Sequence, residues 1–442
     1  MGRQPFGVAS AAAWLGRDGW DVTPVDVAKE RLEDDTLASA DLIAFHLPMH
    51  TATRLAGAVI VRARRLNRSA RLCAFGLYAP LNAAWLKSLG VDEVFGGEFE
   101  EALTHWAGQN ANTTLAAGRA ERQVGTLPRL KFLVPDRTGL PPLSQYATLQ
   151  MPGGARRQVG YTEASRGCRH LCRHCPVVPI YEGQFRIVQA EVVLADIAAQ
   201  VAAGAGHITF GDPDFFNGPT HAMRLVEALH AAHPAVSYDV TIKVEHLLQH
   251  RDLLPRLAAT GCAFVMSAVE SIDDQVLALL DKGHTRAGFL EAVALCRSAG
   301  VTLVPTFVAF HPWLTLDAYC ELLDAVASLD LIDHVAPIQL AIRLLIPQGS
   351  RLLALDEVRR HVGPFDPATL THRWTHPDPR VDDLHREITA IVGMRLTADR
   401  RGVFEQIRAL AYERAGHAGV AEQPGPARHR ATVPYLNEPW YC

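Results

Sequence analysis

The feature of this 442-residue sequence that most restricts its fold is a regular alternation of helical and strand patterns, in two separate stretches. In the first, residues 1–115, the runs "ADLIAFHLP" and "ARLCAFGL" are nearly all apolar, as are strands buried on both faces of a parallel sheet. The helical run "TATRLAGAVIVRARRLN" separates them. We predict a doubly wound α/β domain here, with "WDVTPVD" as a further strand. Because the pattern opens with a helix, the first strand of such a domain is either dispensed with or lies upstream of Met1.

The second stretch, residues 161–350, contains six strand-like segments from "YTEASR" to "PIQLAIRLL", separated by helical ones. Six β/α units are fewer than a closed barrel needs, so we expect a partial (β/α)6 TIM-like barrel. The turn-rich residues 116–160 predict a linker or lid. Residues 351–422 have a helical, charged pattern, and residues 423–442 predict an extended tail that ends in cysteine.

Composition narrows the class of protein. A net charge of −4 with 48% hydrophobic residues excludes a disordered chain and argues against a nucleic-acid partner. The longest uncharged stretch, residues 298–316, is interrupted by prolines, so we expect no membrane segment. Eight cysteines are too few for a disulfide scaffold, which favours a reducing cytoplasm. The isolated cysteines are predicted to be small core residues: Cys73, Cys262, Cys296 and Cys320.

Three further cysteines form a motif, Cys168-x3-Cys172-x2-Cys175, directly after the first strand of the predicted barrel. This position is the first βα loop, at the end of the barrel where chemistry takes place. Three thiolates at this spacing can hold three irons of a 4Fe–4S cluster, and the missing fourth ligand leaves one iron open. The alternative is a structural zinc ion with His170 or His174 as fourth ligand, in a non-enzymatic binding protein.

This motif and its position resemble the radical S-adenosylmethionine (SAM) superfamily, whose signature is CxxxCxxC after the first strand of a partial TIM barrel. The resemblance covers about Tyr161 to Pro347. It implies that the open iron binds the amino and carboxylate groups of SAM, and that an electron from the cluster cleaves a C–S bond to give a carbon radical. It also implies an electron donor such as flavodoxin or ferredoxin.

The same resemblance suggests residues that bind SAM. Gly211, Asp212 and Asp214 in "ITFGDPDFFNG" lie where the family places its contact with the SAM amino group. A strand-to-helix turn favours the same residue types, so this second interpretation stays open.

Three more polar residues follow later strand-like segments. Lys243 can pair with the SAM carboxylate or be solvated on a loop. Glu270 resembles the family's polar residue at the end of strand four, which reaches the ribose hydroxyls. Arg343 is a charge within an apolar segment, and it either pairs with a buried acid or reaches SAM or substrate.

The N-terminal region resembles the cobalamin-binding domain that precedes many radical SAM barrels. Members that hold cobalamin in its His-ligated form carry Asp-x-His-x-x-Gly, whereas His46 and His50 in "AFHLPMHTAT" have a different spacing. We therefore predict a cobalamin-domain-like fold that does not bind cobalamin. A cobalamin-dependent radical SAM methyltransferase is the alternative.

The tail "VPYLNEPWYC" resembles the end of the CUAEP/CCAEP-tail radical SAM family, in which a Cys-Sec or Cys-Cys pair precedes Ala-Glu-Pro. "GRQPFG", "FHLPMHTATRLA", "CRHCPVVPIYEG" and "TIKVEHLL" fit the same family. The sequence stops at Cys442, either because a selenocysteine codon was read as a stop or because this is a natural terminus with an inert cysteine. Some members of the tail family act in organoarsenical biosynthesis. This implies transfer of the 3-amino-3-carboxypropyl group of SAM to a thiophilic substrate, trivalent arsenic, with Cys442 as a candidate catalytic residue.

Overall fold

The computed structural model describes residues 2–109, 128–393, 400–417 and 433–437. The N-terminal part is a parallel three-stranded sheet of order β1-β2-β3 with helices on both faces. Its strands are β1 (Leu42–His46), β2 (Arg71–Phe75) and β3 (Glu93–Phe95). Its helices are α1 (Phe6–Arg17), α2 (Asp34–Ser39), α3 (His50–Leu66), α4 (Ala83–Ser88) and α5 (Glu100–Gly108).

Alternation along β2 explains why this sheet is covered on both sides. Phe75 packs against Leu15 of α1 and Leu103 of α5, whereas Leu72 packs with Ile60 of α3 on the opposite face. Successive strand residues point to opposite faces, so an entirely apolar strand needs two helical layers. The prediction of a doubly wound α/β arrangement is confirmed. The predicted strand "WDVTPVD" is wrong, because these residues form irregular chain around Pro24, which has no N–H for a strand ladder.

The central part is a curled half-barrel, which confirms the predicted partial TIM-like fold. Its sheet has the order β11-β10-β9-β8-β5-β4, extended by a seventh strand described below, and β5, β8, β9, β10 and β11 are parallel. The strands are β4 (Thr148–Gln150), β5 (Arg156–Thr162), β6 (Ser165–Gly167), β7 (Phe185–Ile187), β8 (His207–Phe210), β9 (Ser237–Thr241), β10 (Cys262–Glu270) and β11 (Leu303–Phe307). The helices are α6 (Val178–Tyr181), α7 (Ala190–Ala202), α8 (Pro219–Ala232), α9 (Val244–Gln249), α10 (Leu254–Ala259), α11 (Asp274–Leu280), α12 (Arg286–Ser298) and α13 (Leu316–Ser328).

Two local predictions for the barrel need correction. Strands β4 and β5 begin inside the predicted linker 116–160, so the sheet starts earlier than periodicity indicated. The predicted strand "PIQLAIRLL" is a 3-10 helix, Pro337–Leu340, followed by a single bridge between Phe310 and Arg343. Proline favours the start of a helix, and the Gln339 side chain accepts the Phe307 N–H at 3.2 Å in place of a strand carbonyl.

The C-terminal part packs on the barrel. Leu384 and Phe404 join the main hydrophobic core, while the sequence missed an antiparallel hairpin within residues 351–422. The elements are α14 (Asp356–Arg359), β12 (Val362–Asp366), β13 (Thr371–Trp374), α15 (Pro379–Gly393), α16 (Arg400–Ala415) and β14 (Tyr435–Asn437).

Strand β14 lies at the edge of the barrel sheet and pairs antiparallel with β4, which is itself antiparallel to β5. Strand β14 therefore runs in the same direction as β5, toward the end of the sheet from which the cysteine loop emerges. Of the isolated cysteines, three are buried and Cys262 is half-buried. Among the described residues, no helix is long and apolar enough to cross a bilayer.

Candidate functional site

The three motif cysteines lie in one loop that a small hairpin closes. Strands β6 and β7 pair antiparallel, and the Cys168 N–H donates to the Gln184 carbonyl at 3.1 Å. Gly167 precedes the first cysteine with φ +78°, and a Cβ there would lie 2.3 Å from the Tyr181 ring. Only glycine fits this close approach, so the sequence "RGC" sets the start of the loop.

The thiols of this loop are shielded from water. Cys168 and Cys172 are buried and Cys175 is partly so. Burial raises the pKa of the metal-free Cys168 thiol to about 11 and that of Cys175 to about 12. Thiolates in such a place need a cation, and soft metal ions are their natural partners. This donor set fits the three cysteine ligands of a 4Fe–4S cluster with one open iron.

A buried cation, Lys282, stands beside the cysteines. Burial lowers its pKa, but the Glu270 carboxylate and the Cys172 and Cys175 sulfurs outweigh that effect and raise it. Its Nζ lies 3.4 Å from Glu270 Oε1. Lys282 therefore places a fixed positive charge next to the thiolate ligands.

Glu270 ends β10 in a left-handed conformation, with φ +69°. Its Oε1 lies 3.1 Å from His174 Nε2 as well as near Lys282. Burial raises the pKa of Glu270, but Lys282 and His174 outweigh it and lower the pKa to about 2. His284 is close by with both ring nitrogens buried and without hydrogen-bond partners, and burial lowers its pKa to about 4. The site thus holds a carboxylate, an ammonium group and a neutral imidazole.

Asp214 links the cysteine loop to the ends of β8 and β9. Its Oδ2 lies 3.4 Å from His170 Nε2 and 2.7 Å from His246 Nδ1. The other ring nitrogen of His170 lies 3.5 Å from Glu245, whose carboxylate is 3.4 Å from Lys243 Nζ. Burial raises the pKa of Asp214, but the two imidazoles outweigh it and hold the pKa below its usual value.

Gly211 and Asp212 contact the residues that lead into the cysteine loop. Asp212 accepts hydrogen bonds from the Ala164 N–H at 2.9 Å and the Ser165 hydroxyl at 2.6 Å, which fixes the turn between β5 and β6. Burial raises the pKa of Asp212 to about 7. A Cβ on Gly211 would lie 1.8 Å from the Tyr161 hydroxyl oxygen, so a side chain is not tolerated there.

Arg343 lies away from this network. It donates to Asp382 at 2.7 Å and to the Trp374 carbonyl at 2.9 Å, and its guanidinium lies 3.5 Å from the centre of the Trp374 ring. These contacts attach α15 and the C-terminal hairpin to the barrel. Cys442 lies outside the described residues.

The N-terminal domain contacts the cysteine loop through a buried ionic cluster. Arg166, two residues before Cys168, donates to Glu100 at 2.6 Å and to Glu163 at 2.8 Å, and lies 3.4 Å from Glu98. Burial raises the pKa of Glu98 to about 7; the neighbouring carboxylates Glu100 and Glu163 act in the same direction, and together these effects outweigh Arg166, which lowers it. The sequence contained no signal for this cluster, since its members are far apart along the chain.

At the carboxyl ends of β1–β3, where doubly wound domains bind ligands, two glycines lie in close contact with neighbouring side chains. A Cβ on Gly7 would lie 2.2 Å from His46 Nε2, and one on Gly96 would lie 2.1 Å from the Pro80 ring. Leu77 packs in one hydrophobic group with Cys168 and its neighbours.

Sequence reasoning found the cysteines, Asp214, Lys243 and Glu270, and the structure brings these residues to one end of the barrel. It considered His170 and His174 only as zinc ligands. It missed three residues altogether, namely His246, Lys282 and His284. The available signal was their placement after the ends of β9 and α11, in "TIKVEH" and "LDKGHT".

Comparison with known proteins identifies the class. Residues 162–326 match the model of the Radical SAM superfamily. The chain is 24% identical over 151 residues to the hopanoid C-3 methylase of Methylococcus capsulatus, covering 34% of this chain and 29% of that protein. It is 29% identical over 162 residues to the tRNA-2-methylthio-N(6)-dimethylallyladenosine synthase of Pelodictyon phaeoclathratiforme, covering 34% and 36%. The match thus spans about a third of the length of these curated relatives.

Solved structures extend the likeness to the fold as a whole. The cobalamin-dependent SAM radical enzyme OxsB superposes with a TM-score of 0.70 at 13% identity, covering 93% of this chain and 69% of that chain. The radical SAM methyltransferase TsrM from Kitasatospora setae gives 0.56 at 18% identity, covering 74% and 68%. These two structures show a shared fold, whereas the match to the superfamily model is what assigns residues 162–326 to a radical SAM domain.

Proposed function

We propose that this chain binds one 4Fe–4S cluster through Cys168, Cys172 and Cys175 and cleaves SAM reductively. The single observation that carries the proposal is the buried cysteine loop with the Lys282 cation beside it. When bound, the cluster supplies the electron that breaks a C–S bond of SAM. An external one-electron donor of the flavodoxin or ferredoxin kind completes the reaction, and an oxygen-sensitive cluster favours the cytoplasm.

The polar residues around the loop have separate tasks in this proposal. Glu270 uses Oε1 for His174 and Lys282, so Oε2 is left to accept from the ribose hydroxyls of SAM. Asp214 keeps its negative charge and suits the SAM ammonium group, while Lys243 suits the carboxylate.

The remaining candidates have mainly positioning tasks. Gly211 and Asp212 hold the base of the loop through Tyr161 and Ser165 rather than through their own contacts with SAM. Arg343 secures the C-terminal hairpin beside the barrel.

For the fate of the radical we propose transfer of the 3-amino-3-carboxypropyl group to trivalent arsenic. One electron added to SAM gives methylthioadenosine and the aminocarboxypropyl radical. The radical carbon bonds to the arsenic of As(OH)3, and the resulting arsenic-centred radical returns one electron to the oxidised donor and loses a proton. The product is an aminocarboxypropyl arsonic acid, and no net electron is consumed. The resemblance of the tail to an organoarsenical family supports this substrate, since a soft thiolate such as that of Cys442 is a good ligand for a thiophilic element. The direction of β14, parallel to β5, is consistent with a tail that serves the cysteine end of the barrel.

The test is to reconstitute the full chain anaerobically, add SAM and dithionite, and identify the nucleoside with and without arsenite. Methylthioadenosine together with an aminocarboxypropyl arsenical supports the proposed reaction. Formation of 5′-deoxyadenosine would show that the chain cleaves SAM, but it would contradict transfer of the aminocarboxypropyl group. Cys175→Ser is the matched control and should form neither nucleoside. An intact cluster that leaves SAM uncleaved contradicts the proposal as a whole.

A cobalamin-dependent methyltransferase is the second candidate, because OxsB and TsrM are solved cobalamin-binding enzymes with a similar fold. The spacing of His46 and His50, which differs from Asp-x-His-x-x-Gly, argues against it. Absorption spectroscopy after incubation with hydroxocobalamin and gel filtration distinguishes the two. Co-elution of one cobalamin per chain supports the methyltransferase, and its absence supports the first proposal.

A further inference from the structure

The solvent-facing side of the cysteine loop and its hairpin carries exposed apolar side chains. Leu171, which immediately precedes Cys172, is 40% exposed, and Ile187 on β7 is 44% exposed. Single exposed apolar residues are common on protein surfaces and need no explanation. These two differ because they belong to one continuous surface, whereas scattered residues do not.

Phe185 and Arg169 lie beside Ile187. A Cβ built on Gly218 would lie 3.5 Å from Ile187 Cδ1 and 3.7 Å from a Phe185 ring carbon, so both side chains lie over the same glycine. The guanidinium carbon of Arg169 lies 5.6 Å from the centre of the Phe185 ring. The apolar surface of β7 is thus continuous with a residue of the cysteine loop.

Leu171 joins the same surface beside Gly183. A Cβ on Gly183 would lie 3.1 Å from Leu171 Cδ2 and 3.4 Å from the carbonyl oxygen of Arg169. Gly183 leads into β7, two residues before its first member. The whole surface, called the loop patch from here on, consists of Arg169, Leu171, Phe185 and Ile187.

The loop patch lies in a positively charged part of a chain whose net charge is −4. Residues 167–187 contain three arginines, at positions 169, 173 and 186, and a single acidic residue, Glu182. Arg169 is exposed, and it forms no ion pair with any residue that the structure describes. A surface of this sign attracts acidic proteins and speeds their association.

The loop patch is also next to a proposed cluster ligand. Leu171 and Cys172 are joined by a trans peptide, so their Cα atoms are about 3.8 Å apart. The Leu171 side chain is exposed and the Cys172 side chain is buried, so one peptide bond separates the protein surface from the ligand. Four side chains are too few for a permanent interface, but transient encounters between redox partners use small surfaces.

We propose that the loop patch is the docking surface for an acidic one-electron carrier protein. The apolar side chains exclude water from the centre of the contact, and Arg169 steers and orients the carrier. In the docked complex the carrier loses one electron and the cluster gains it; no bond forms or breaks and no proton moves. This inference rests on the proposed function and adds the place where its electron enters.

The test compares two reductants on the reconstituted full chain. Dithionite needs no docking surface, whereas a bacterial flavodoxin, reduced by NADPH and flavodoxin reductase, does. Arg169→Glu and Ile187→Glu should each raise the KM for flavodoxin in SAM cleavage by at least about 10-fold and leave the dithionite-driven rate unchanged. Leu290→Glu is the matched control, because Leu290 on α12 is 41% exposed and lies outside the loop patch. It should change neither value.

Several outcomes would overturn the docking proposal. Equal loss of rate with both reductants would show that the loop patch merely supports the fold of the loop. An unchanged KM in both variants, or the same rise in Leu290→Glu, would also overturn it. So would a flavodoxin that supports no SAM cleavage by the unaltered chain when dithionite does. Ile187 lies outside residues 168–175, so its variant keeps the test decisive if Arg169→Glu disturbs the cluster, which iron and sulfide analysis detects.

Failure of the proposed function has a different signature, namely an unaltered chain that cleaves no SAM with dithionite. Docking is then judged by calorimetric titration of the same chains with flavodoxin. Weaker binding in Arg169→Glu and Ile187→Glu, but not in Leu290→Glu, would support the docking surface. Equal binding by all four proteins, or no binding by the unaltered chain, would overturn it.

Discussion

Replacing Glu98 with Gln should stabilise the protein above neutral pH, because Glu98 is a buried carboxylate that shares one arginine with two others. Its pKa rises from 4.5 to about 7 on folding, chiefly through burial. At 1.36 kcal/mol per pH unit, that difference corresponds to about 3 kcal/mol of destabilisation once the carboxylate is ionised. Glutamine keeps the shape of the protonated acid and removes that cost.

The sign follows from proton binding. Between pH 4.5 and 7 the folded chain holds the Glu98 proton and the unfolded chain does not, so the contribution of this residue to stability falls as pH rises. Glu98→Gln should therefore be close to neutral at pH 4.5 and stabilising by about 1–3 kcal/mol at pH 8. The lower figure allows for an imperfect amide contact with Arg166 or Tyr181.

Urea unfolding of the cluster-free chain, followed by circular dichroism at both pH values, measures this difference. Glu101→Gln, an exposed neighbour on α5, is the matched control and should change nothing at either pH. A Glu98→Gln protein that is less stable at pH 8 than the parent would refute the reasoning. It would mean that the carboxylate is ionised and held in an ordinary ion pair with Arg166.

Three further predictions concern the cluster loop and the hairpin beside it. Lys282→Met removes a buried positive charge next to the thiolates, so the reduction potential of the cluster should fall. A redox titration followed by electron paramagnetic resonance measures the potential. An unchanged potential would contradict the role of Lys282. Gly167→Ala places a Cβ within 2.3 Å of the packed Tyr181 ring and should lower both stability and iron content. Gly153→Ala is the control: this glycine also has a positive φ, +88°, but nothing lies within 4 Å of the added Cβ. It should cost no more than the backbone strain of about 1 kcal/mol. Arg343→Met should destabilise the chain by about 1–2 kcal/mol in thermal unfolding but leave the affinity for SAM unchanged, and a selective loss of SAM binding would return Arg343 to the cofactor site.

Local sequence signals predicted those parts of the fold that periodicity determines. The apolar runs around Phe45 and Phe75 became parallel strands, the first half-buried and the second largely buried. The motif cysteines lie in the first barrel loop, as their position after β5 indicated. The strand predicted around Arg343 is wrong: the apolar run begins with a proline and forms a 3-10 helix. In the structure the Gln339 side chain takes over the hydrogen bond that a strand carbonyl would have accepted.

The site was predictable where its residues lie in the cysteine motif or directly after a predicted strand, as Asp214, Lys243 and Glu270 do. Lys282 and His246 follow the ends of α11 and β9, and that placement alone does not distinguish a buried side chain from a solvated one. Their roles depend on tertiary burial beside Cys172 and Asp214, which lie on other elements. The same holds for Arg166, whose three carboxylate partners come from both domains.

The central claim is that Cys168, Cys172 and Cys175 hold a 4Fe–4S cluster with an open iron. The most direct test is iron and acid-labile sulfide analysis of the anaerobically reconstituted full chain, beside its Cys172→Ser variant. We expect about four irons and four sulfides per chain, and loss of both in the variant. Zinc without sulfide in the reconstituted chain would contradict the claim and indicate the zinc-stabilised binding protein instead.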